Sequence, residues 1–209
     1  PTLTFITTPN NPTGSVVQIS EIVELAKATA SVGGLLVVDE AYAEFSSEIS
    51  AVTLIAQYPN VIVIRTMSKA FAFAGARLGY LIADPAVIDA LQLVRLPYHL
   101  SAITQAVTEV ALSFSDELLA GVDTLIAQRE IVQAGLGKLG LTITPSAANF
   151  LLFGGFNQPA DQLWRKLLDR GILIRDVGLL GQLRVTIGTA AENQAFLSAL
   201  TEVLAEGDK

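Results

Sequence analysis

Lys69 stands just after an aliphatic, β-like run, Val61–Arg65, in the stretch RTMSKAFAFAGARLGY, and Arg77 follows eight residues on. An amine at the mouth of a strand can attack a carbonyl and carry a proton, and a nearby guanidinium can hold a dianion through fork-shaped, charge-assisted hydrogen bonds. Two further segments end the same way. LLVVDEAY places Asp39 after four aliphatics, with the Tyr42 phenol three residues later, and the run Leu3–Thr7 enters TTPNNPTG, a turn-rich loop that holds Asn11. Singly these residues read equally as a turn, a helix-capping Asp and a solvated Lys. Together, a carboxylate, an amide, a phenol, an amine and a guanidinium on one rim suit a polar, phosphorylated, electron-accepting ligand.

Such a rim needs strands to carry it, because ligands of open α/β sheets sit beyond the carboxyl ends of the strands. Strand-like runs occur at Leu3–Thr7, Leu35–Val38, Val61–Arg65 and Leu78–Ala83, with helical or mixed segments at Ile19–Ser31 and Ala51–Tyr58 between the first three. That alternation predicts a parallel sheet. The link from Arg65 to Leu78 is a dozen residues without a good helical pattern, so the fourth strand is expected to run antiparallel. Ser101 to Lys138 reads as one long helical stretch connecting two lobes. Beyond Gly140 come strand candidates Leu141–Thr144, Phe150–Phe153, Ile172–Arg175 and Leu183–Ile187, and helices Ala160–Arg170 and Glu192–Ala205. The expected organisation is part of a large domain over residues 1–98, a connecting helix over 99–138, and a small α+β domain over 139–209.

Composition narrows the function classes. With 51% hydrophobic and 16% charged residues in 209, the chain can build a substantial core. A net charge of −7 argues against nucleic-acid binding, which needs clustered Lys and Arg. The chain has no Cys, which removes disulfides, thiol catalysis and cysteine metal sites, and one histidine, which excludes a histidine-rich metal centre. No apolar run reaches the ~18–20 residues of a membrane span, and a reducing cytoplasm is the expected compartment. The opening PTLTFITTP begins inside a strand, so the chain is expected to be a portion of a longer protein.

The motifs NNPTG, VVDEAY, TMSKAFAFAGARLGY and LRVTIG, in this order and separation, resemble the fold-type-I pyridoxal-phosphate aminotransferases over essentially the whole chain. The wording VVDEAYAEF and VRLPYHLS is most similar to the histidinol-phosphate aminotransferase branch. The resemblance implies part of a large pyridoxal-phosphate domain with a mostly parallel sheet. Its four strands would lie in chain order, the last antiparallel, and a small α+β domain would follow. It implies pyridoxal 5'-phosphate as cofactor, an amino donor and a 2-oxo acid as substrates, and a homodimer at full length.

Residue by residue, Lys69 resembles the amine that forms the Schiff base with the cofactor and shuttles the substrate proton; a dry setting between Met67 and Phe71 is expected to favour its neutral form. Asp39 resembles the carboxylate paired with the pyridine nitrogen. Asn11 and Tyr42 resemble the hydrogen-bond partners of the 3′-oxygen, and Thr66, Ser68 and Arg77 the phosphate cup, with Gly75 and Gly79 permitting a tight turn beside it. Arg184 in LRVTIG resembles the substrate's anion clamp, Arg175 a second clamp, and Asn149 in SAANF a substrate-facing amide.

Plainer readings stand beside these: surface arginines on an edge strand, a turn residue at Asn149, a packed or helix-entry His99, a core Trp164. Ala72 departs from the resemblance, since relatives carry a polar or acidic residue there. The front portion of the family, with its phosphate-binding glycine loop and ring-stacking aromatic, is not found in the chain. The expected activity is transamination of histidinol phosphate with 2-oxoglutarate; an aromatic amino acid aminotransferase, a related decarboxylase and a non-catalytic fragment are the alternatives.

Overall fold

The computed structural model describes residues 2–207, which form two compact units. The first contains residues up to Pro9 and Val16–Gly121; the second contains Asn10–Ser15 and the chain from Val122.

In the first unit, strands β1 (Leu3–Thr7), β2 (Leu35–Asp39), β3 (Val61–Thr66) and β4 (Gly79–Ile82) form a sheet in the order β1-β2-β3-β4. The first three are parallel and β4 runs antiparallel to β3, as the short Arg65–Leu78 link requires. β2 and β3 are the inner strands, and their runs of Leu, Val and Ile have the continuous hydrophobicity of strands buried on both faces. Register pairs Leu36 with Val61 and Val38 with Val63, so these four point to one face. Helix α1 (Ile19–Ala30) covers that face with Ile22 and Ala26.

Helix α1 starts where the sequence provides for it: the Gln18 backbone N–H donates to Glu21, three residues on, in a capping box. Asn60 secures its other end by donating to the Ala26 carbonyl and the Thr29 hydroxyl. The segment Ala51–Tyr58, read as helical or mixed, forms only a short 3-10 turn over Ala51–Leu54. Helix α2 (Pro85–Val94) lies in a stretch for which the sequence reading assigned no element, although Asp84 followed by Pro85 is an N-cap and first-turn signal; the Asp84 carboxylate accepts from the Ala86 N–H at 2.9 Å. The expected continuous helix over 99–138 is divided at Ser113–Phe114 into α3 (Ala102–Leu112) and α4 (Ser115–Lys138).

The second unit has its own three-stranded antiparallel sheet, β5 (Thr142–Ile143), β6 (Phe150–Gly154) and β7 (Gln182–Thr186), in that order. Every residue of β6 is buried, as befits the middle strand. Helices α5 (Ala160–Asp169) and α6 (Ala190–Gly207), with the later turns of α4, pack Leu163, Leu167, Phe196, Leu200, Val132 and Leu136 into this core. At Gly135 an added Cβ would stand 2.7 Å from a Leu197 methyl, so a side chain there would oblige Leu197 of α6 to shift. Trp164 packs against this core, and its indole N–H donates to the Ile174 carbonyl at 2.9 Å.

The expected strand Ile172–Arg175 is not formed. Only Arg175 pairs, in an isolated antiparallel bridge to Arg184, and Leu173 is 77% exposed. Among the described residues no helix is long and apolar enough to cross a membrane, and no group of three or more His, Asp or Glu is placed to hold a metal ion.

Candidate active site

The carboxyl ends of β2 and β3 in the first unit carry six of the singled-out side chains. Asp39 is the last residue of β2, and one of its carboxylate oxygens accepts from the Ala41 N–H at 3.0 Å, which turns the chain sharply away from the strand. Tyr42 follows in that turn and is buried. Thr66 ends β3; its hydroxyl accepts from the Ser68 N–H at 3.1 Å and donates to the Leu78 carbonyl, closing the turn that presents Lys69. The Lys69 ammonium lies 5.6 Å from the centroid of the Tyr42 ring, within reach of a cation–π attraction. Arg77 closes the segment in left-handed conformation, φ 55°, and donates to the Ala74 carbonyl at 3.0 Å.

Two expectations about this segment are corrected. Met67 and Phe71 are buried as anticipated, yet Lys69 between them is exposed in this chain, so these two neighbours do not by themselves make a dry setting. The chain leaves β3 in a turn there, and alternate residues cannot all face inward. The left-handed positions are Ala72, φ 52°, and Arg77, whereas Gly75 and Gly79 have no positive φ. Gly79 matters through space instead: a Cβ there would meet the Arg65 carbonyl at 3.0 Å across the β3–β4 pair.

Asn11, Asn149, Arg175 and Arg184 belong to the second unit. The loop Asn10–Ser15 seats on residues 146–147, with the Ala147 N–H donating to the Gly14 carbonyl at 2.8 Å. Gly14 has φ 77°, and a Cβ there would overlap Ser146, so only glycine fits. Loop seating puts the Asn11 side-chain oxygen where the Arg184 guanidinium donates to it. The same guanidinium lies over the Phe150 ring at 4.7 Å, and in the sequence Phe150 stands out only as the first residue of a strand.

Arg175 and Arg184 exchange both backbone hydrogen bonds, at 2.9 and 2.8 Å. Directly opposed residues of an antiparallel pair share a face, and both arginines line a cleft of about 330 Å³ with Trp164, Asp176 and Thr186. Asn149 precedes β6, and its carbonyl accepts from the Ile187 N–H at 2.9 Å. His99 is exposed.

Two cationic groups in one cleft can take a doubly charged anion, and a strand-end carboxylate with an amine and hydroxyls can take an aromatic phosphate ester. Comparison with known proteins bears on that chemistry. Residues 2–200 match the family described as aminotransferase class I and II. The chain belongs to this family. Among curated members it is 56% identical to the histidinol-phosphate aminotransferase of Mycolicibacterium smegmatis over 204 residues, which is 97% of this chain and 53% of that protein. With the enzyme of the same name from Nocardia farcinica it shares 57% identity over 198 residues, 94% of this chain and 50% of that one. The chain thus spans about half the length of the curated relatives it matches.

Solved family members include the histidinol-phosphate aminotransferase of Sinorhizobium meliloti in complex with pyridoxal-5'-phosphate. It superposes with a TM-score of 0.86 at 31% identity, covering 98% of this chain and 58% of that one. The enzyme of the same name from Clostridium acetobutylicum gives 0.86 at 25% identity, covering 98% and 64%. The sheet of the first unit, mostly parallel with an antiparallel last strand, is that of part of a large domain of this fold.

Proposed function

We propose that the whole protein transfers an amino group from histidinol phosphate to 2-oxoglutarate with pyridoxal 5'-phosphate as cofactor, giving imidazole acetol phosphate and glutamate in histidine biosynthesis. The observation that carries this reading is the cleft holding Arg175 and Arg184 together, in a chain 56% identical to a histidinol-phosphate aminotransferase. One substrate brings a phosphate and the other a second carboxylate, and two guanidiniums on one face suit both.

The donor set of the first unit fits the cofactor: an amine, a carboxylate, a phenol, two hydroxyls and a guanidinium follow the ends of neighbouring strands. Pyridoxal phosphate supplies a carbonyl that takes up the amine and a ring that accepts the electron pair left when the substrate's α-proton departs. The rest falls to the chain. Lys69 would anchor the cofactor covalently and, once the substrate amine has displaced it, its freed Nζ would take the α-proton and hand it back. Asp39 would hold a proton at the ring nitrogen by pairing with it. Asn11 and Tyr42 would hydrogen-bond the ring oxygen, and Thr66, Ser68 and Arg77 would hold the phosphate. Arg184, Arg175 and Asn149 would hold the anionic end of the substrate. The residue groups 1–98, 99–138 and 139–209 would then act as cofactor domain, connector and substrate domain, and the protein would work as a cytoplasmic homodimer.

The test is the specificity constant of the full-length protein for histidinol phosphate against phenylalanine as amino donor, with 2-oxoglutarate as acceptor. Histidinol phosphate is expected to be preferred. A preference for phenylalanine makes it an aromatic aminotransferase, release of carbon dioxide makes it a decarboxylase, and absence of turnover with every donor leaves a non-catalytic protein.

A further inference from the structure

Glu40 is a carboxylate that amino transfer leaves without a task, and it is 3% exposed. It accepts from the Ser50 hydroxyl at 2.7 Å, the Ala51 N–H at 2.7 Å, and Arg65 at 3.1 Å from Nε and 2.7 Å from the terminal nitrogen. Arg65 also donates to Ser50 at 2.9 Å and to Glu44 at 3.3 Å. A buried ion pair of this kind adds little to folding compared with apolar side chains of the same volume, because desolvation offsets the attraction. Its hydrogen bonds fix geometry far better than apolar contacts do.

The location gives that geometry a use. Glu40 is the residue after Asp39, and Arg65 is the residue before Thr66. The Glu40 N–H donates to the Ile64 carbonyl at 2.9 Å, which prolongs the β2–β3 pairing by one step. Side chains alternate along strands, so the ion pair occupies one face of the two strand ends, while Asp39 and Thr66 project from the other. We infer that the Glu40–Arg65 pair is a positioning device, which sets the spacing between the strand end that presents Asp39 and the turn that presents Thr66, Ser68 and Lys69. Neither residue of the pair touches the reacting atoms; both act through their neighbours in sequence. The inference rests on the amino-transfer reading, in which Asp39 and Lys69 hold two ends of one molecule and an error in spacing misplaces the amine.

The experiment uses full-length protein and the double variant Glu40→Gln with Arg65→Met, which keeps an acceptor for the Ala51 N–H and removes both charges of the pair, with Glu44→Gln added in a parallel variant because Glu44 also loses its partner Arg65. The melting temperature is read without cofactor. The visible absorbance of protein-bound pyridoxal phosphate is then titrated with pH, and kcat and KM are measured. The double variant is expected to melt within a few degrees of the wild type and to keep a borohydride-reducible cofactor. The midpoint of its visible titration is expected to move by about half a pH unit or more. Its kcat should fall by roughly 10–100-fold with little change in KM, the size of effect that follows a misplacement of about 1 Å.

If the double variant does not fold, Glu40→Gln alone serves, with the same expectations at smaller size. An unmoved midpoint with wild-type kcat in the folded variant overturns the inference, as does a lower melting temperature with both unmoved, which would make the pair a stabiliser only. Failure of the underlying reading, in which Asp39 and Lys69 hold one cofactor, is seen separately: wild-type protein would then show no reducible cofactor at Lys69, and the inference would fall with it.

Discussion

The guanidinium of Arg184 donates to the side-chain oxygen of Asn11, a residue 173 positions earlier in the chain. The contact exists because Asn10–Ser15 folds onto the second unit, where Gly14 seats against Ser146. Together with the Phe150 ring beneath it, Asn11 fixes the plane of the guanidinium before any substrate arrives. In the role proposed for Arg184, a guanidinium ordered in advance would lose less entropy on binding an anion.

Arg184→Lys replaces that fork with a point charge on a flexible stem and is expected to lower kcat/KM for both half-reactions by roughly 2–3 kcal/mol, the usual worth of charged hydrogen bonds. Cofactor affinity should be unchanged. Single-turnover kinetics with each substrate and a pyridoxal phosphate titration check both statements; an equal loss of cofactor affinity would place Arg184 at a different site.

Lys69→Ala is expected to abolish transamination and the borohydride-reducible cofactor link, while pyridoxal phosphate still binds noncovalently through Asp39, Arg77 and the hydroxyls. Lys69 is the amine that the structure puts beside Tyr42. Mass spectrometry after borohydride treatment decides it, and a labelled peptide in the variant would assign the link to another lysine.

Ala72 sits at φ 52°, where a Cβ-bearing residue other than Asn or Asp is disfavoured. This gives a physical sense to the departure noted there, since short polar side chains tolerate the left-handed region by bonding locally. Ala72→Gly is expected to stabilise the full-length protein by about 1 kcal/mol, the left-handed penalty of a single residue offset in part by the freedom of an unfolded glycine. Chemical denaturation measures it, and a destabilised variant would mean that the left-handed backbone at 72 carries no strain.

Glu192 accepts from both the N–H and the hydroxyl of Thr189, each at 2.7 Å, and these bonds hold its carboxyl below the ordinary carboxylate range. The unfolded chain keeps the ordinary value. Protonation therefore favours unfolding: the stabilisation is complete above the unfolded value and is lost as pH falls through the lower folded one. Glu192→Gln should flatten that part of the stability profile in acid and leave catalysis near neutral pH intact. Denaturation midpoints across the acid range test it, and parallel profiles for variant and wild type would refute it.

Between Leu93 and Phe114 the first unit exposes Leu93, Val94, Leu96, Tyr98 and Ile103, each at 74% or more, and Phe5 on the edge strand β1 is 66% exposed. Exposed apolar side chains of this kind favour association, and β1 and β4 each present an unpaired edge. The 209-residue chain expressed by itself is expected to associate and to bind pyridoxal phosphate weakly. Sedimentation as a monomer with stoichiometric, tight cofactor binding would overturn this.

Much of the fold was legible in local pattern. The aliphatic runs of β2 and β3, the capping box before Ile19 and the short link after Arg65 each act within a few residues, so they determine strands, a helix start and an antiparallel return without reference to the rest of the chain. The order of the polar residues along the strand ends was readable for the same reason. Other features were decided only when distant segments met. Ile172–Arg175 has strand-like composition, yet it is reduced to a single bridge because one residue alone finds a partner. Lys69 is exposed because the turn after Thr66 sets the direction of each side chain, which periodicity does not encode. Asn11 could be read as a turn residue from its neighbours, but its bond to Arg184 follows from loop seating against Ser146, and the Glu40–Arg65 pair from strand register. Hydrophobic spacing specifies what a segment becomes, whereas packing and register determine which polar groups are brought within a hydrogen bond of one another.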